Sequence, residues 1–126
     1  MAKRFAELIY APEAATGQAA SKAETHTPKI EAPEKVKKGE PFRVKVSVGP
    51  HPNQPEHSIR SLEIWFAEDG RPFNPIRLAT IELEPGYAEP SIEVTVKLQK
   101  SGTIYALAYC NLHGVWENSK RIEVEE

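Results

Sequence analysis

The chain has 126 residues, of which 40% are hydrophobic and 27% charged, and its formal net charge is -2. That length supports one hydrophobic core, and the composition excludes a disordered or membrane-spanning chain as well as nucleic-acid binding by bulk charge. A single cysteine, Cys110, excludes an intrachain disulfide and any cluster held by four thiolates of this chain.

The opening MAKRFAELIY meets Glu7 and then Pro12 before an apolar run of secretory length develops, so a cytoplasmic location is expected. Residues 11–25, APEAATGQAASKAET, are rich in alanine and small polar residues and carry Pro12 and Gly17. Residues 1–25 are therefore expected to form an N-terminal arm, mobile or with one short helix, and residues 26–126 the compact domain. From there the hydrophobic period is two. After a short strand around Ile30, PFRVKVSVG alternates Phe42, Val44, Val46 and Val48 with Arg43, Lys45 and Ser47. SLEIWFAE places Leu62, Ile64 and Phe66 on one face, and Asp69-Gly70 is a hairpin-type turn signal. In IRLATIELE the apolar phase slips by one residue between Leu78 and Ile81, which predicts a β-bulge at Ala79 or Thr80. SIEVTVKLQ, TIYALAYC and RIEVE complete seven short strands, with Ile104, Ala106, Ala108 and Cys110 on one face of the sixth. The expected fold is all-β, an immunoglobulin-like seven-stranded sandwich or small barrel.

The chain has four histidines, at 26, 51, 57 and 113, and all fall between predicted strands. His51 and His57 bracket HPNQPEH, where Pro52 and Pro55 remove backbone donors and fix φ, so this loop is stiff enough to hold two imidazoles at one point. Cys110-Asn111-Leu112-His113-Gly114 has the Cys-x-x-His spacing that lets a thiolate and an imidazole meet one metal, with Gly114 permitting a tight loop. Taken singly, each is ordinary: a loop histidine is usually a solvated surface group, and a lone cysteine on a core face is usually a small hydrophobe. Together they leave no histidine or cysteine away from turn chemistry, which points to a metal site. Structural zinc takes four ligands and would leave one of five idle, whereas four imidazoles and one axial thiolate leave an open sixth position, which favours iron. A blue-copper site needs two histidines and commonly an axial methionine, and the only methionine is Met1.

HPNQPEHSIRSLEIWF and YALAYCNLHGVWEN, with ETHTPKIE upstream, resemble the superoxide reductase family, in its single-domain neelaredoxin form, over roughly residues 24–126. The resemblance implies a non-haem iron, one per chain and cycling between Fe2+ and Fe3+, on an immunoglobulin-like fold. His26, His51, His57 and His113 would be its equatorial ligands, Cys110 the axial ligand, and Glu24 a sixth ligand to the ferric ion. It further implies one-electron reduction of superoxide to hydrogen peroxide, a rubredoxin-like electron donor and a homotetramer, with no nucleic-acid or membrane partner. The sequence departs from the family at one position. Where the family has Glu-Lys-His-x-Pro, this chain reads Glu24-Thr25-His26-Thr27-Pro28, so the lysine that attracts superoxide is replaced by Thr25. Lys22 is the candidate to supply that charge, with Lys29 as runner-up. Trp116 and Glu117 read as a packed aromatic and a surface charge. Two readings of another class compete: a zinc-stabilised, non-catalytic β-sandwich and a cupredoxin-like electron carrier.

Overall fold

The computed structural model describes residues 2–12 and 17–126. The expected arm therefore includes residues 13–16, which lie outside the described residues.

Two helices precede the strands: α1 (Phe5–Leu8) and α2 (Gln18–His26). Ala19, Ala20 and Ala23 favour the nine-residue α2, and it stops at His26 because Pro28 pushes Thr27 out of the helical region, to φ -67 and ψ 123. The strands are β1 (Lys29–Glu31), β2 (Lys35–Lys37), β3 (Phe42–Ser47), β4 (Ile59–Glu68), β5 (Ile76–Glu82), β6 (Ser91–Val96), β7 (Gly102–Cys110) and β8 (Gly114–Glu125). They form a three-stranded sheet, β1-β3-β6, and a five-stranded sheet, β2-β8-β7-β4-β5. The all-β expectation holds, as two open sheets rather than a closed barrel. The strands number eight among the described residues, not seven: β2, with only Val36 buried, is too short to show a period, and it pairs in parallel with the end of β8.

The period-two readings define the core. Val44 and Val46 of β3, Leu62 and Ile64 of β4, and Ile104, Ala106, Ala108 and Cys110 of β7 are fully buried in one cluster drawn from both sheets. Each large aliphatic side chain so buried contributes about 1.5–3 kcal/mol. The bulge expected at Ala79 or Thr80 lies one residue earlier: Ile64 pairs with Ala79 and Trp65 with Arg77, leaving Leu78 as the extra residue. A second bulge, at Arg60, separates the pairs Ile59↔Cys110 and Ser61↔Tyr109.

The ladders also position the histidine-bearing segments. β1 begins where β3 ends, with Lys29 opposite Ser47, and β4 begins where β7 ends, with Ile59 opposite Cys110. The residues just before β1, just after β3, just before β4 and just after β7 thus emerge at one end of the sandwich.

Candidate metal centre

His26 is the last residue of α2 and is buried. Its Nδ1 lies 3.0 Å from the carbonyl oxygen of Lys22 and 2.9 Å from the hydroxyl of Thr25, which itself donates to the Lys22 carbonyl at 3.1 Å. A carbonyl only accepts, so Nδ1 carries the proton and Nε2 presents its lone pair. His51 is fixed in the same way, its Nδ1 donating to the Pro52 carbonyl at 2.7 Å. The two Nε2 atoms then face one another at 3.1 Å. Two lone pairs this close repel unless a cation lies between or beside them.

One ligand atom each from His26, His51, His57 and Cys110 lies within 4.8 Å of the others. The buried Nε2 of His57 has no hydrogen-bond partner, the mark of a nitrogen whose partner is not a protein group. His113 joins through Nδ1, 3.2 Å from His26 Nε2 and 3.7 Å from Cys110 Sγ, and Cys110 Sγ lies 3.5 Å from His51 Nε2. Four imidazoles and a cysteine sulfur with converging donors fit a borderline or soft metal ion. Burial pushes the His26 imidazole down to about 4, against the Lys22 carbonyl, which opposes the shift; the neighbouring imidazoles add to it. His51 and His113 are also lowered, mainly by desolvation, with Lys22 contributing at His113. Neutral imidazoles are what a metal needs.

The loop between β3 and β4 is stiff for more reasons than its prolines. Gln54 and His57 exchange both backbone hydrogen bonds at 3.0 Å. Asn53 accepts from Gly86 N–H at 2.8 Å and donates to the Ala88 carbonyl at 3.2 Å, tying the loop to the turn before β6. Arg60, on its bulge, donates to Ser58 Oγ and to the Pro55 carbonyl.

The remaining candidates lie around the cluster. Glu24 is exposed on α2 and is not part of the four-residue group. Thr25 touches the back of His26. Lys22 lines a groove of about 900 Å³ together with Phe5, Leu8, Tyr10, Leu112 and His113. Lys29 donates to the Gly49 carbonyl at 3.2 Å. Trp116 does more than pack: its Nε1 donates to the His113 carbonyl at 3.0 Å, and its ring lies 5.2 Å from that of His26. The Tyr10 ring packs at a tilt against Trp116, centroids 4.8 Å apart, and its backbone bonds Val115 and Glu117, so the N-terminal segment lies against the residues that follow the site. No periodic signal in the sequence marks these partners.

The desulfoferrodoxin family model matches residues 18–119. The chain belongs to this family. It is similar to a solved superoxide reductase (neelaredoxin) from Ignicoccus hospitalis, with 64% identity and a TM-score of 0.92 over 98% of this chain and 100% of that one. A superoxide reductase of Pyrococcus abyssi is 43% identical over 81% of this chain and 90% of its own length. The neelaredoxin of Megalodesulfovibrio gigas is 30% identical over 82% of this chain and 91% of its own. No helix among the described residues is long and apolar enough to cross a membrane.

Proposed function

We propose that this protein is a superoxide reductase, converting superoxide to hydrogen peroxide by one electron at one iron ion per chain. The observation that carries the proposal is the convergence of Nε2 lone pairs from His26 and His51, a partnerless His57 Nε2 and the Cys110 sulfur at one end of the sandwich. His26, His51, His57, His113 and Cys110 would hold the ion, and Glu24 would join them in the oxidised state. Iron supplies a one-electron couple, with the thiolate donating electron density toward it. The chain's own contribution is to fix the tautomers of His26 and His51 through the Lys22 and Pro52 carbonyls, which leaves both Nε2 lone pairs free, and to keep these two imidazoles neutral by burial. Lys22 contributes positive charge on the rim beside His113, and Thr25 holds the ring of His26, so we assign Lys22 the steering role at this site and Thr25 a positioning one.

We take a rubredoxin-like carrier as the electron donor. A cytoplasmic homotetramer, an immunoglobulin-like lineage for the sandwich, and residues 1–25 as an arm strapped onto a 26–126 domain complete the proposal. The pairing of Tyr10 with β8 supports the strap.

The test is metal analysis of the purified protein together with its visible spectrum and its products from superoxide. Stoichiometric iron, a thiolate charge-transfer band on oxidation, and peroxide without evolved oxygen are expected, and Cys110→Ser should lose the band and most of the activity. Stoichiometric zinc in a colourless protein would overturn it.

A further inference from the structure

We propose that Asn111 is a positioning residue that sets His57 against Cys110, an inference that rests on the reading of these residues as metal ligands. The β4–β7 ladder ends at the pair Ile59↔Cys110, so no regular strand pairing holds the chain beyond it. Asn111 continues the pairing by other means. Its Oδ1 accepts from the Ser58 N–H at 2.9 Å, its Nδ2 donates to the Glu56 carbonyl at 2.9 Å, and its own backbone N–H donates to the Ser58 carbonyl at 3.3 Å. The carboxamide thus imitates a peptide group of a neighbouring strand, and its two bonds straddle His57, one to the residue before it and one to the residue after.

The ring of His57 depends on this hold. Its Nε2 is buried and has no protein partner, so nothing grips the tip of the imidazole. Its position is set by the backbone on either side, and that backbone is attached to the residue directly following Cys110. Ser58 is fully buried, so its N–H cannot turn to water if Asn111 is removed. The hydrogen bonds of Asn111 go to the backbone of Glu56 and Ser58 and none to a cluster atom, so it acts through His57 and Cys110 rather than on a substrate.

The experiment uses cobalt(II) added to the metal-free full-length protein, reading the sulfur-to-cobalt absorption band and the rate of cobalt loss to excess EDTA. Asn111→Asp retains the acceptor for Ser58 and places a carboxylate oxygen against the Glu56 carbonyl; Asn111→Ala removes both bonds. Asn74→Ala is the control, because Asn74 braces backbone at Glu68 and Arg71, at the end of β4 away from the site, with the same kinds of bond. Both Asn111 variants are expected to lose cobalt about 10–100-fold faster with a shifted band. Asn74→Ala should lower the melting temperature while leaving rate and band unchanged. Asn111→Asp, close to asparagine in size, carries the test if Asn111→Ala does not fold. Cobalt loss and a band identical to the wild type's in Asn111→Asp, with only a lower melting temperature, would make Asn111 a structural loop residue and overturn the inference alone. A wild-type protein that shows no sulfur-to-cobalt band would overturn the metal-site reading beneath it as well.

Discussion

His26 combines burial, a carbonyl that fixes its tautomer and three neighbouring imidazoles, and each has a consequence in solution. Its folded-state value, about 4, lies below the ordinary 6.5, so between these values the unfolded chain binds a proton that the folded chain refuses. Stability from this group is therefore present above pH 6.5 and is lost as pH falls toward 4, and His51 and His113 act in the same direction. Urea denaturation of the metal-free protein should show a midpoint that falls steadily from pH 6.5 to 4; a flat profile would mean the histidines are solvated. Glu24 is a contrasting case, an exposed carboxylate outside the cluster. Glu24→Ala is expected to change the visible spectrum of the oxidised protein and to leave the rate of the reduced protein with superoxide unchanged, as pulse radiolysis would record. A large drop in that rate would place Glu24 in the reduced, reactive site.

At the scale of elements, β4 and β7 form the platform, since the row Ile104, Ala106, Ala108 ends in Cys110 and brings the sulfur to the end of the core. Gly102 opens the same strand at the other end. It is buried, and a Cβ there would lie 2.6 Å from Phe66 Cζ and collide with the Ala67 carbonyl oxygen. The Phe66 ring is itself packed in the core, and the carbonyl is main chain, so neither can retreat cheaply. Gly102→Ala should destabilise the protein by about 1–3 kcal/mol in chemical denaturation. Because the clash is eight residues along β7 from Cys110, metal content per folded molecule should remain that of the wild type. Unchanged stability would show that the start of β7 shifts freely.

Over the whole molecule the net charge is -2, so the protein as a unit does not attract an anion. Attraction must be local, and on the proposed ligand set an ion with two positive charges held by one thiolate and uncharged imidazoles would leave about one positive unit at the site. Lys22 stands close enough to His113 to lower its proton affinity, which places a second positive charge near the same point. Lys22→Ala should lower the second-order rate with superoxide and flatten its dependence on ionic strength, because the Debye length at 0.1 M salt is about 10 Å and only nearby charges still steer. A rate and salt dependence equal to the wild type's would remove Lys22 from this role.

Much of this protein was legible in its sequence alone. Alternation identified the strands that form the core, since a half-buried strand must place apolar side chains every second residue. The scarcity of histidine and cysteine, each beside turn residues, marked the candidate site, and the phase slip in IRLATIELE located the β5 bulge to within a residue. What only the tertiary structure decided depends on partners distant along the chain. β2 exists because β8 offers it an edge, and the first half of β8 is a strand because β7 pairs with it, although GVWENSK does not alternate. The direction of the His26 lone pair follows from a backbone carbonyl in α2, and the His113 imidazole that converges with it lies 87 residues away. The hold of Asn111 on both sides of His57 spans 53 and 55 residues. Local hydrophobic period reports which face of an element is buried; it carries no record of which backbone group a polar side chain will meet once the sheets close.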